Sequence, residues 1–321
     1  MKEFTINQND AGQRLDKFIT KTVKKLPLTL VYKYLRLKRI KVNGKRADAA
    51  TRLNEGDTVQ MYINDEFFEE KENENAFLKV KPMLDVVYED ENILLVYKKK
   101  GLIVHSDDKE DFNTLINHIK AYLYHKGEFD PEKENSFTPA LCNRIDKNTE
   151  GLVLAAKNAE SLRILNEKIK KREIKKSYVC IAHGLFSKKS GTFKNFLLKN
   201  ERENRVYVYE RPVPGAKESI TKYQVIREKE DLSLVEVDLV TGRTHQIRAQ
   251  FANAGHPLLG DAKYGTAEIN KPFGDKSQAL CAYKIEFKFE TEGEILSYLN
   301  NKCFKLENPA IFQRFSDIYK N

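Results

Sequence analysis

No stretch of the chain approaches the roughly 20 apolar residues that a membrane-crossing helix needs, and the opening residues MKEFTINQND lack the apolar core of a secretory signal. The four cysteines, Cys142, Cys180, Cys281 and Cys303, fall at no paired spacing, which argues against a zinc site and against a disulfide framework. There is no Walker loop, no dinucleotide-type GxGxxG and no His/Cys cluster, so neither a nucleotide cofactor nor a metal is expected. Together these absences predict a cytoplasmic protein without membrane attachment. What is present is a chain of 321 residues, 40% hydrophobic and 32% charged, long enough for two domains and able to bury a core.

The charge is unevenly placed. Residues 1–63 carry 14 Lys/Arg against 6 Asp/Glu, whereas the remainder carries 42 against 41. Such asymmetry points to an appended module for a polyanion, with a merely solvated basic face as the plainer alternative. Within this module the spacing predicts short helices at Arg14–Val23 and Leu28–Leu37, the second opened by Pro27. Asn43-Gly44, set between Arg39–Val42 and Lys45-Arg46, predicts a hairpin because both turn positions tolerate positive φ. Gly56-Asp57 then turns into an alternating strand, Thr58–Ile63. Residues 64–76, NDEFFEEKENENA, hold six acids and one lysine without apolar periodicity, and predict a charged, extended tether. The expected division is a basic module at 1–63, an acidic linker at 64–82 and a larger domain at 83–321.

The order of elements in the basic module, and the phrase RLDKFI…VYKYLRLKRIKVNGK…LNEGDTV, resemble the small RNA-binding domain first known from ribosomal protein S4. In that family the second helix and the following hairpin bind RNA backbone. The resemblance therefore implies RNA contacts by Lys33, Arg36, Lys38, Arg39, Lys41, Lys45 and Arg46. Phosphate contacts of this kind supply affinity and register without reading sequence, and folded RNA is recognised mainly by shape.

From about residue 83 the pattern mixes strands and helices. Strands are predicted at Leu84–Tyr88, Ile93–Tyr97, Ser177–Ala182 and Leu232–Leu239, and helices at Thr114–His125 and from Asn158, as cap, through Ile169. Leu162, Leu165 and Ile169 form the expected inner stripe of the latter. The stretch LCNRIDKNTEGLVLAAKN places one carboxylate, Asp146, in a polar turn beside Arg144, directly ahead of an apolar strand. Later, Thr241-Gly242 leads into Arg243-Thr244-His245-Gln246-Ile247-Arg248, which opens a short helix ending at Gly255, and GHPLLGD follows at 255–261.

These three separated motifs, with VVYEDENILLVYKKKGLIVHS ahead of them, resemble the RluA-like pseudouridine synthases in the family's order over about 83–290. Two positions depart: Asn143 stands where that family usually has His, and Glu150 where it has a small residue. The Lys98–Lys100 turn also lacks the usual proline. The resemblance implies an α+β fold, a synthase domain with a mixed, mainly antiparallel central sheet behind a small α/β RNA-binding domain. It implies isomerisation of uridine to pseudouridine, a reaction that needs no cofactor.

It further implies that Asp146 is the essential carboxylate, acting on the ribose as nucleophile or by removing a proton. Tyr178 would stack on the uracil, and its hydroxyl is a candidate to accept the carbon-five proton. Arg144 would fill the space of a flipped-out base or grip its phosphate. A carboxylate withdrawn from water needs a cation, for which Arg248 is the first candidate and Arg243 the second. Gln246, with Arg243, is a candidate to contact RNA, and so is His245, although both suit a structural role at a helix start. His105 suits either a cleft or plain structure, and Lys98–Lys100 either a solvated loop or an RNA surface. The likeliest substrate is large-subunit ribosomal RNA, acted on by a monomer. The rival readings are a transfer-RNA or small-subunit target, and a non-catalytic RNA-binding or assembly factor on the same fold.

Overall fold

The computed structural model describes residues 1–68, 75–105, 112–274 and 277–320. Apolar residues at helical spacing near the start form two short helices, α1 (Leu15–Thr22) and α2 (Leu28–Arg36), which bury Leu15, Phe18, Ile19, Val31 and Leu35. Pro27 stands just ahead of α2, where its missing N–H leaves no helical bond unmade. These helices share one core with a four-stranded antiparallel sheet of β1 (Lys2–Thr5), β2 (Ile40–Val42), β3 (Lys45–Arg46) and β4 (Thr58–Met61), in the order β1-β4-β2-β3. The predicted hairpin is present, with φ of 52° at Asn43 and 72° at Gly44, the twist that joins two strands tightly.

The extended tether needs correction at both ends. Short helical turns occupy Asp65–Phe68 and Ala76–Lys79. Phe67 and Phe68 pack on the N-terminal core, 6.5 Å from Tyr34 and 6.3 Å from Phe4. Phe77 is buried against Phe129 and Tyr124 of the larger unit. The density of acids hides three phenylalanines, whose burial outweighs the polarity of their neighbours. Residues 69–74 lie outside the described residues.

A polar dock joins the two units. Asn7 donates to the Lys133 carbonyl at 3.1 Å, Asn9 to Glu134 at 2.7 Å and Gln13 to Ser136 at 2.8 Å. Asp10 is fully buried and accepts from Asn135 and Ser136. Asn9 also accepts the backbone N–H of Ala159 at 3.0 Å.

The larger unit is built on one sheet of eleven strands. In chain order these are β5 (Asp85–Glu89), β6 (Ile93–Lys98), β7 (Ala140–Leu141), β8 (Glu150–Ala156), β9 (Ile174–His183), β10 (Ser190–Asn200), β11 (Arg205–Tyr209), β12 (Lys217–Lys229), β13 (Leu232–Leu239), β14 (Leu280–Phe287) and β15 (Cys303–Lys305). They lie in the order β11-β10-β12-β13-β9-β14-β8-β6-β5, with β7 on β8 and β15 on β14. Only β14 and β8 run parallel, so the sheet is mixed and mainly antiparallel.

Its central strands are apolar on both faces, which is why they read as continuous runs rather than alternations. Leu94, Val96, Val153 and Ala155 face a core shared with α3 (Leu115–His125) and α5 (Gln246–Asn253). Ile93, Leu95, Leu152 and Leu154 face the opposite core, against α4 (Ala159–Lys170). Asn158 caps α4 as its position predicts, accepting from Ser161 N–H at 2.8 Å. The inner stripe of α4 differs: Ile164 and Leu165 are buried, while Leu162 and Ile169 are only partly covered. The short α6 (Ala267–Asn270) precedes β14, and α7 (Ala310–Asp317) packs Ile311 and Phe315 against Val179 and Ile181. Phe315 thus belongs to the core, with Phe312 partly buried beside it, while Phe304 is partly buried in the core shared with α4, against Tyr88 and Phe287. No helix among the described residues is long and apolar enough to cross a membrane.

Gly151 is where β8 meets β14. Its φ is 123°, and a Cβ there would stand 2.1 Å from the Ala282 carbonyl oxygen. Backbone on both sides leaves nothing able to give way. Gly151→Ala is expected to cost more than about 3 kcal/mol in urea unfolding. Gly242→Ala, where nothing lies within 4 Å, should change stability by under about 0.5 kcal/mol.

Candidate active site

Asp146 sits on the turn between β7 and β8, and four contacts fix that turn. The Asp146 carbonyl accepts Thr149 N–H at 3.0 Å, closing it locally. Thr149 Oγ1 accepts from Gln278 at 3.2 Å. Asn143 is buried, donates to the Leu152 carbonyl at 3.3 Å and accepts Leu154 N–H at 2.8 Å. The unusual asparagine therefore pins the turn to β8, since a primary amide can donate and accept at once. Glu150, the other unusual residue, accepts from Tyr97 at 3.0 Å.

The fourth contact corrects the reading of the lysine-rich turn. Lys98 is fully buried, neither a solvated loop nor an RNA surface. Its Nζ donates to the carbonyls of Lys99 at 3.0 Å, Leu102 at 2.9 Å and Lys147 at 2.9 Å. Burial pushes its pKa down to about 8. This buried cation clamps the turn after β6 to the residue following Asp146. It supplies the rigidity for which no proline is present. His105, at the far end of that turn, is exposed.

Arg248 lies between two carboxylates. Its Nη1 donates to Asp146 Oδ2 at 2.8 Å, so the expected ion pair is present. Its Nε and Nη2 grip Asp261 at 2.7 and 2.9 Å, a two-pronged pair that only a planar guanidinium can make. Asp261 is fully buried, Arg248 nearly so, and Asp146 keeps 26% of its side chain exposed. Burial alone would raise Asp261 and lower Arg248. Their mutual bonds and charges outweigh it, leaving Asp261 below and Arg248 above their ordinary values. Asp261 was not singled out from the sequence. The available signal was that five N–H donors, brought out of water, need more than one acceptor, and GHPLLGD ends in the first acid after Arg248.

Asp146 Oδ1 has no partner among the described residues. One oxygen is thus tethered and the other open. Tyr178, on β9 between Val237 of β13 and Ala282 of β14, is 6% exposed. Its hydroxyl makes no hydrogen bond among the described residues. Burial raises its pKa, and the charge of Asp146 adds to the rise. Asp146, Tyr178 and Arg248 therefore come together from three distant stretches of chain.

The remaining expectations divide. Arg144 is exposed and makes no side-chain bond among the described residues, consistent with a group free to meet a ligand. Arg243 does not pair with Asp146; it is exposed, and its Nε donates to the Glu218 carbonyl at 3.2 Å. Gln246 is not available as a substrate ligand. It is 2% exposed, accepts from Thr241 and Arg243 N–H, and donates to Ile220 and Thr221. It ties the start of α5 to β12. In the N-terminal unit Lys33, Arg36, Lys38, Arg39, Lys45 and Arg46 are exposed and Lys41 half-buried. None of the seven is in an ion pair among the described residues. Arg36 and Arg46 line a cavity of about 220 Å³ beside the exposed ring of Tyr32.

The contrast in burial predicts a contrast in stability. Asp261→Asn leaves a buried guanidinium short of a charge and is expected to cost about 3 kcal/mol. Asp146→Asn, at a wetter position, should cost less than about 1 kcal/mol. Folding holds Asp261 below its ordinary value, so its contribution is complete above about pH 4 and fades as acid protonates the folded carboxylate. Urea titrations across pH should show that acid loss in the wild type and a flatter profile in Asp261→Asn.

The profile of the RNA pseudouridylate synthase family matches residues 92–253, and that of the S4 domain matches residues 13–59. An RNA pseudouridine synthase of Mycoplasma capricolum is 34% identical, covering 98% of this chain and 100% of that one. The ribosomal large subunit pseudouridine synthase C of Vibrio cholerae is 32% identical over 88% of this chain and 87% of its own. Among solved structures, human RNA pseudouridylate synthase domain containing 4 shares the fold. It has a TM-score of 0.55 at 20% identity, over 72% of this chain and 90% of that one. With its acid, arginine and tyrosine gathered on a mixed sheet behind an RNA-binding module, the chain belongs to the RNA pseudouridine synthase family.

Proposed function

We propose that this pseudouridine synthase modifies uridine in large-subunit ribosomal RNA, with Asp146 as its essential carboxylate. The observation that carries the reading is a carboxylate with one oxygen held by Arg248 and the other open, next to the buried ring of Tyr178. The reaction breaks the bond from ribose to N-one of uracil, turns the base and rebonds it through carbon-five. The open oxygen of Asp146 acts on the ribose, and Arg248 keeps that carboxylate aimed while its charge is used. Tyr178 stacks on the uracil once the nucleotide has left the helix. Such stacking is worth about 1–3 kcal/mol and offsets part of the cost of extrusion. Arg144, exposed two residues before the acid, holds the vacated space or the flanking phosphate.

The ribosomal assignment leans on the Vibrio cholerae relative, whose name specifies the large ribosomal subunit, and on seven cations of the N-terminal unit that make no ion pair among the described residues. Lys33, Arg36, Lys38, Arg39, Lys41, Lys45 and Arg46 supply affinity through phosphates, and the larger unit supplies chemistry. The same reading has the chain acting as a cytoplasmic monomer.

A pseudouridine-specific chemical map of ribosomal and transfer RNA, from cells with and without the gene, tests the substrate. One or a few large-subunit signals should vanish and return with wild type but not with Asp146→Asn. That variant should bind RNA within about twofold of wild type, because its acid supplies chemistry rather than phosphate contacts. A signal lost from transfer RNA would move the substrate, and an unchanged map would favour a binding factor.

Combining Arg36→Ser, Lys45→Ser and Arg46→Ser is expected to lower the slope of log affinity against log salt by about 2 to 3. An unchanged slope in a filter-binding titration would remove this face from the interface.

A further inference from the structure

His245 precedes α5 in a conformation that side chains rarely adopt, with φ of 51°. A non-glycine residue holds such a position only where its surroundings enforce it, and such sites cluster where function needs them. The surroundings here are specific. Nδ1 of His245 lies 2.9 Å from the Tyr264 hydroxyl, which also accepts the backbone N–H of Val206 at 2.8 Å. The rings meet edge-on, 5.7 Å apart. Arg205 and Arg248 lie over the Tyr264 ring at 5.1 and 5.2 Å.

A phenol has one proton to give. With Val206 donating to the oxygen, the arrangement that satisfies every group has the hydroxyl donating to Nδ1. In the neutral ring the proton is then on Nε2. Burial lowers the pKa of the ring and so favours its neutral form, with Arg248 and Lys263 acting in the same direction against Asp146 and Asp261. Nε2 stands 3.9 Å from Asp146 Oδ2. That is too far for a direct hydrogen bond, but at this separation a single oxygen can lie within bonding reach of both.

An oxygen placed there must accept from Nε2–H and donate to a carboxylate. A hydroxyl does both, whereas a uracil carbonyl can only accept. We propose that His245 and Asp146 together bind a ribose hydroxyl of the target nucleotide, with Tyr264 setting the tautomer that makes His245 the donor. The hydroxyl that separates RNA from DNA is the 2′ one, and the pair would read it at the target position. This inference rests on the placement of the target nucleotide at Asp146.

The test uses the full-length protein and two synthetic RNA stem-loops carrying the mapped uridine, identical except for 2′-deoxyuridine at that position. Both are measured as competitors of a labelled substrate, so neither has to turn over. Wild type is expected to bind the 2′-hydroxyl form about tenfold more tightly. His245→Ala should bind the two alike, and His245→Gln, whose amide N–H reaches near the Nε2 position, should restore part of the preference. His245→Asn, whose amide falls near Nδ1, should not. Tyr264→Phe should weaken the preference while leaving binding of the deoxy form unchanged. Equal discrimination in wild type and His245→Ala would overturn the proposal. So would equal binding of the two RNAs by wild type. Both results are separate from the failure of Asp146 as the essential acid, which would appear as turnover by Asp146→Asn.

Discussion

The guanidinium of Arg248, shared between Asp146 and Asp261, is the contact on which the candidate site depends. It joins the turn before β8, the first turn of α5 and the loop after that helix, with Asp146 and Arg248 102 positions apart. Without Arg248 two carboxylates would converge in a space poor in water, each raising the cost of the other's charge. Without Asp261 the arginine would have one exposed partner and no reason to stay in one rotamer. The buried pair Arg248–Asp261 contributes little net stability of its own, because desolvation consumes most of the attraction. What it contributes is direction. A planar fork gripped on one side has a single remaining N–H direction toward Asp146.

That direction would be of no use if the turn could move, and the sheet prevents it. Strands buried on both faces cannot slide by one residue without turning two apolar sets toward the wrong cores. β8 is such a strand; Asn143 ties the turn to it, Lys98 ties the turn to the end of β6, and Gly151 lets β8 approach β14. Lys98 is the costliest of the three. A buried ammonium is tolerated only because three carbonyls meet its three N–H groups, and its lowered pKa reflects the loss of water around the charge. Rigidity near the acid is thus built from polar groups placed where apolar packing ends.

The parts of this arrangement that were legible in the sequence are those with a local signature. Asn-Gly specified a hairpin, Asn158 a helix cap, and GLVLAA a buried strand. Asp146 and Arg248 lay in compact motifs. Lys98 read as part of a loop facing solvent or RNA because burial of a charge depends on carbonyls from residues 99, 102 and 147, the last of them far along the chain. Gln246 resembled a ligand because composition does not reveal that four partners inside the protein already satisfy its amide. Asp261 was passed over for a similar reason: its role exists only once α5 and the following loop fold back. Phe67, Phe68 and Phe77 were masked by the acids around them, and the long strands β10 to β12 by side chains that alternate charge with small or aromatic residues.

The two units divide the work between different kinds of interaction, and their dock follows from that division. Seven of the N-terminal cations, Lys33, Arg36, Lys38, Arg39, Lys41, Lys45 and Arg46, make no ion pair among the described residues and suit phosphates, whose contribution is strong and salt-dependent. The larger unit is where groups are buried and aimed. The dock between them contains Asn7, Asn9, Asp10 and Gln13 against residues 133–136, short polar side chains that lose little entropy on being ordered. Hydrogen bonds of this kind each add little net energy but are costly to leave unmade, and Asp10, buried with no ion pair among the described residues, is the one that would be left most exposed to that cost. Such an interface specifies orientation more than it supplies adhesion. On the proposed reading, an RNA that touched both units would meet the basic face and Asp146 at one set separation, and shape-based binding at the first would be converted into choice of nucleotide at the second.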